Sequence, residues 1–240
     1  MLSFVAFRDQ QAQYLEWARA TFSEEQVRAL DFDEAGYPRW ASVEAEFAAA
    51  AHARRLQQLE PDDLRALLYL IARSWDVGRI LAWLSTRGPL SAIAELSDED
   101  ALFLAEASLR LDGPELDDAH YQLAVLMPRI ASDPARVQAL LLSFYERPHE
   151  YTKRCALLAL ARIGYPHLGE LARRSWQIAD EHHRIAVLEV LAKQPEPSAA
   201  DAALLDELLE EARHLPGEYL ATARAAIEAQ AAERQGTRSH

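Results

Sequence analysis

Apolar residues recur along this chain every three or four positions, in blocks of about 10 to 20 residues separated by Pro, Gly and short acidic runs. That is the period of helix, and the pattern predicts helices near 9–30, 40–59, 62–74, 77–86, 98–111, 116–131, 134–146, 149–163, 167–178, 181–193, 200–213 and 217–232. No stretch reads as strand. Two blocks differ from the amphipathic rest, because the seven-residue runs Ala66–Ala72 and Cys155–Ala161 are apolar on nearly every side. A helix of that kind has to be covered on nearly every side.

The breaks carry helix-start chemistry. "LEPDDL" places Pro61 at a first helical position with Asp62 and Asp63 in the first turn, and "SDED" places Ser97 as N-cap with Asp100 at the capping-box position. "DGPELDD" and "SDPARV" repeat the formula. After about Ala232 the tail "ERQGTRSH" has little to bury and is expected to be mobile.

The greasy helices also resemble one another. Laying 181–193 under 151–163 at an offset of 30 places Arg184 on Arg154, Ala186 on Ala156 and Leu188 on Leu158. An offset of 89 brings Arg65, Leu68, Ala72 and Arg73 onto Arg154, Leu157, Ala161 and Arg162. Such recurrence predicts stacked helix pairs, in which each inner helix is sandwiched by its partner and its neighbours.

The stretch "EYTKRCALLALARIGYPHLGELARR" resembles a HEAT repeat, with an Arg- and Ala/Leu-rich second helix followed by the first helix of the next unit. The resemblance is clearest over 148–232 and fades towards the amino terminus, and its period is shorter than the ~40 to 47 residues of typical arrays. It implies an all-α fold: a right-handed α-solenoid of stacked antiparallel helix pairs over 61–232, a less regular N-terminal helical cap over 1–60, and a tail over 233–240.

Composition agrees with helix. Half of the 240 residues are apolar, Gly is scarce at 8, and Ala, Leu, Glu and Arg dominate. The net charge of −13 is unevenly spread: residues 1–120 hold 11 basic and 22 acidic side chains (−11), and residues 121–240 hold 14 and 16 (−2). This field repels phosphate backbones and anionic lipid and favours a basic protein partner. One cysteine, no basic leader segment and no uncharged run of about 20 residues point to a soluble cytoplasmic protein.

Candidate chemistry is sparse. Asp117/His120 and Asp180/His183 are spaced to share a helix face, as metal ligands are, but both acids stand where first turns begin and read as caps. Cys155 and His149 are six residues apart, on different faces of a helix. No phosphate loop, nucleophile elbow, CxxC pair or HExxH is present, so no catalytic residue, metal ligand or cofactor is assigned. The five tryptophans include candidate interface anchors.

The most suggestive segment is "LDFDEAGYPRW", where acids and aromatics share a loop. Asp31, Asp33, Glu34, Tyr37, Trp40 and Glu44, joined by Asp76 and Trp83, are the expected partner-binding residues. With the HEAT resemblance, they imply a non-enzymatic scaffold, and short acidic bacterial proteins of this kind resemble immunity proteins, in which the acidic N-terminal half would occlude a basic cognate toxin with the C-terminal repeats as scaffold. The alternatives are a HEAT-like DNA glycosylase, which calls for a Lys/Arg-lined groove from a chain with only two lysines, and a bilin-lyase-like scaffold.

Overall fold

The computed structural model describes residues 6–30, 36–74, 96–111, 113–194 and 197–238, with side chains described as far as residue 230. Every regular element among them is helical. The helices are α1 (Phe7–Thr21), α2 (Glu24–Ala29), α3 (Trp40–His52), α4 (Pro61–Arg73), α5 (Asp98–Arg110), α6 (Asp117–Leu126), α7 (Pro134–Tyr145), α8 (Glu150–Arg162), α9 (Leu168–Trp176), α10 (Glu181–Ala192), α11 (Ala199–Ala212) and α12 (Glu218–Arg238). Short 3-10 turns sit at Leu56–Gln58, Pro114–Leu116 and Met127–Arg129. The helix expected near 77–86 lies outside the described residues. No described helix is long and apolar enough to cross a membrane.

Three expected helices are shorter or broken, each for a local reason. The block at 9–30 divides because Phe22 turns extended and Ser23 opens a new helix, with a capping box that pairs Ser23 and Gln26 reciprocally. The block at 40–59 ends at His52, where Arg54 takes a left-handed φ of 52°. The block at 116–131 tightens to a 3-10 turn at Met127, since Pro128 has no N–H for the α-helical ladder. At the far end α12 runs to Arg238, past the boundary expected at 232.

The chain forms two compact units, Met1–Phe144 and Tyr145–His240. In the first, α4 packs on α1, α5 and α6. Its run Ala66–Ala72 is buried without exception, which answers the demand of its sequence. Burying side chains of this size stabilises by about 1.5–3 kcal/mol each for the larger ones.

Polar residues then orient the packing. Arg73, 2 % exposed, reaches Asp118 of α6 at 2.7 Å, and Gln122 of α6 donates to the Ile71 carbonyl at the end of α4 at 2.9 Å. Arg136 ties α7 to α5 through Glu99 and Glu106, and its guanidinium holds the Glu106 carboxyl below the usual carboxylate range.

In the second unit α10 is the central helix and packs on α8, α9, α11 and α12. It buries Ala186, Val187, Leu188, Val190 and Leu191. On α8 the run beginning at Cys155 buries Cys155, Ala156, Leu157, Ala159 and Leu160, while Leu158 and Ala161 are half-buried.

Buried positions of α8 and α10 coincide best at an offset of 31 residues, where the sequence comparison used 30. At 31, Thr152 falls on His183, Ala156 on Val187, Leu157 on Leu188 and Leu160 on Leu191, all buried. The same register repeats an interaction. Lys153 Nζ donates to the Tyr145 carbonyl at 3.0 Å and lies 5.4 Å from the centre of that ring; Arg184 Nε donates to the Trp176 carbonyl at 3.3 Å, with its guanidinium 5.7 Å from the Trp176 ring.

The expected equivalence of Arg65, Arg154 and Arg184 therefore fails. Arg65 pairs with Glu115, Arg154 lies over Tyr151 beside Glu150, and Arg184 serves Trp176. A one-residue slip turns a helical side chain by about 100°, enough to exchange these surroundings.

Candidate functional site

Of the residues expected to bind a partner, Asp31, Asp33, Glu34, Asp76 and Trp83 lie outside the described residues. Tyr37, Trp40 and Glu44 lie inside the first unit, at 3 %, 2 % and 6 % exposure. The aromatic signal that marked them as contacts belongs to a core. Tyr14 of α1 meets Tyr37 at 5.2 Å, Trp40 at 5.6 Å and Tyr69 at 6.0 Å between ring centres, and Trp17 meets Tyr37 at 5.2 Å and Phe22 at 5.4 Å.

Edge-to-face and tilted rings at these separations add attraction beyond the area they bury. Burial also raises the Tyr37 phenol, with Arg39 acting against it. The legible signal was spacing on α1, where Tyr14 and Trp17 are three residues apart and so share a helix face.

His120, His183 and Cys155 are interior groups. Asp180 caps α10 by accepting from the His183 backbone at 2.8 Å, as its sequence position predicts. His183 is itself buried, with Nδ1 3.1 Å from Glu150 Oε1 of α8, and burial pulls its pKa below the ordinary value while Glu150 opposes the shift. His120, also buried, pairs with the Ser108 carbonyl at 3.0 Å and lies 3.5 Å from Asp117. Burial pushes the Cys155 thiol up to about 11, so it stays protonated near neutrality. Among the described residues no three His, Cys, Asp or Glu side chains converge to hold a metal ion.

Acids in the first turns of three helices serve backbone donors of other segments. Asp63 of α4 accepts from the Arg8 backbone in the first turn of α1 at 3.0 Å, and Asp98 of α5 accepts from the Ala131 and Ser132 backbones at 3.2 and 3.0 Å. Glu181 of α10 accepts from Leu220 in the first turn of α12 at 2.8 Å. Each carboxylate satisfies orphan backbone donors that helix or turn geometry leaves free.

That cross-capping lines up one edge of the second unit. Helices α8, α10 and α12 open on Glu150-Tyr151, Glu181-His182 and Glu218-Tyr219, an acid and then an aromatic at their first two positions. Glu150 reaches the third residue of α10 and Glu181 the third residue of α12, so the three first turns lie side by side. Gly217, with φ 133°, lets the Glu181 carboxylate sit against the backbone where a Cβ would clash.

The aromatics at the second positions are exposed to different degrees. Tyr219 is 65 % and Tyr151 40 % exposed, His182 is exposed, and the rings of His182 and Tyr219 are 5.8 Å apart. Elsewhere in this unit a cleft of about 390 Å³ between α9 and α11 is lined by His167, Gly169, Arg173 and Asp201. Its charged groups are already engaged, since Arg173 grips Glu207 with two bonds of 2.8 Å and Asp201 belongs to the Ser198 cap.

The chain matches no family model, no curated protein and no solved structure, so what it does has to be argued from its own residues.

Proposed function

We propose that this protein is a non-enzymatic scaffold that binds another protein, with its helix pairs wound as a short, right-handed, HEAT-like solenoid. The interaction repeated at Tyr145/Lys153 and Trp176/Arg184, and the burial of α10 between four helices, support the solenoid reading.

One observation carries the binding role. The polar groups inside the second unit are largely engaged with one another, whereas an aligned set of aromatic side chains is left facing water at its edge. Exposed aromatics at neighbouring positions are what interface hot spots are made of. The acidic excess, carried mostly by residues 1–120, favours a basic partner for the chain. The immunity role implied by the HEAT resemblance is the specific form of this reading: the scaffold covers the active surface of a basic toxin domain.

The test is to mix the purified chain with the product of the gene beside its own and to follow size-exclusion elution with light scattering. A single co-eluting complex, together with loss of the partner's activity, is expected. Two peaks that elute independently at micromolar concentration overturn the reading.

A further inference from the structure

We propose that the edge made by Tyr151, His182 and Tyr219 receives the arginine or lysine side chains of a protein partner, with the Glu218 carboxylate as their counter-charge. This inference rests on the protein-binding reading and assigns it a surface and a ligand chemistry.

The molecule's own packing shows what these rings accept. Lys153 and Arg174 lie over the Tyr145 ring at 5.4 and 5.1 Å, Arg184 over Trp176 at 5.7 Å and Arg73 over Tyr69 at 5.7 Å. At the edge itself, Arg154 lies over Tyr151 at 4.6 Å. It does so because it stands three residues further along α8, on the same face as Tyr151.

The position corresponding to Arg154 is Ile185 on α10 and Thr222 on α12. Neither carries a charge, so Tyr219 and His182 lack the cation that Tyr151 draws from its own helix. Other nearby cations are committed elsewhere, Lys153 to the Tyr145 carbonyl and Arg184 to the Trp176 carbonyl.

The acids at this edge are unevenly used. Glu150 is bonded to His183, Glu181 to Leu220 and Asp180 to the His183 backbone. Glu218 is exposed, and no cation of the described residues pairs with it. An exposed ring and an exposed carboxylate in the same first turn favour a guanidinium or ammonium over an anion. An anionic ligand meets three carboxylate-bearing first turns.

The experiment measures fluorescence anisotropy of a labelled peptide of four Arg-Gly-Ser repeats against the full chain at 50 mM salt. A Glu-Gly-Ser counterpart and a thymidine 20-mer are run in parallel. The arginine peptide is expected to bind, and to bind more weakly as salt is raised.

The combined variant Tyr151→Ala, His182→Ala, Tyr219→Ala is expected to bind it about tenfold more weakly, while Tyr219→Phe, which keeps the ring, binds as the parent does. Glu218→Gln lowers the affinity by about threefold. Unchanged melting of the variants, whose altered side chains are at the surface, shows that folding is intact.

Equal affinity of the triple variant and the parent overturns the assignment of this edge while leaving a protein-binding scaffold in place. Preference for the thymidine oligomer or the glutamate peptide overturns the cationic ligand. Peptide binding that depends on the edge, alongside failure of the chain to form a complex with its neighbouring gene product, overturns the toxin-directed function and leaves the edge standing.

Discussion

Both units bury aromatic side chains, Tyr145 and Trp176 in the second, but they differ in what they leave outside. In the first, Tyr14, Tyr37, Trp40 and Tyr69 are packed ring against ring in the interior. In the second, Tyr151, His182 and Tyr219 stand at the second positions of three neighbouring helices and face water. Aromatic content therefore says little about where a surface is. What matters is whether a ring falls on a face that another helix covers, or in a first turn where its own backbone points outward.

The contrast is broken most forcefully in the first unit. Trp40→Ala removes the large buried ring that begins α3 and is expected to destabilise by about 3–5 kcal/mol, read from urea unfolding. Loss of less than about 1 kcal/mol would mean that the cluster is not a core.

In the second unit the sensitive point is backbone rather than ring. Gly217→Ala introduces a Cβ at φ 133° against the Glu181 carboxylate and is expected to destabilise by about 2 kcal/mol. Gly164→Ala, at φ 70° with open space around it, should do less damage, and equal effects would place the burden on φ alone. Ser198→Ala removes the α11 cap, which accepts from Asp201 at 3.0 Å, and is expected to lower stability by about 1 kcal/mol.

Acid sharpens the comparison through His183. Its folded pKa is depressed, so the unfolded chain binds the proton more readily than the buried ring does. This contribution to stability is present above pH 6.5, the unperturbed value, and is lost as the pH falls from there through the lower folded value. Melting followed between pH 7.5 and 5 should show the loss, and His183→Gln should flatten that part of the curve. An unchanged slope in the variant removes His183 as its source. The smallest effect belongs to Tyr219→Ala, which at 65 % exposure should change stability by no more than about 0.5 kcal/mol.

Much of the helix pattern was legible because its causes are local. Ser97 and Ser198 cap from the positions where short polar residues precede helical runs, and Pro61 opens α4. The break at Ser23 was legible too, in the Ser-Glu-Glu-Gln capping box that the longer 9–30 block obscured. Ala66–Ala72 announced its burial by having no polar face.

The candidate site was less legible. Asp63, Asp98 and Glu181 look the same in sequence as acids that cap their own helices, and nothing local states which neighbouring N-terminus they will serve. The register was underdetermined in the same way, since Arg154 over Arg184 is as good a match on paper as Lys153 over Arg184. Only the carbonyls and rings that these cations reach distinguish the two.

By itself, then, the sequence determined that this chain is helical, where most of its helices begin, and which two runs have to be covered on all sides. These follow from backbone hydrogen bonding and apolar periodicity within a few residues. Tertiary structure alone decided that Tyr37 and Trp40 are interior while Tyr151 and Tyr219 are at the rim, and that three first turns share an edge. Those outcomes depend on which helix lies across from which, and a side chain's water is removed by neighbours that its own segment does not specify.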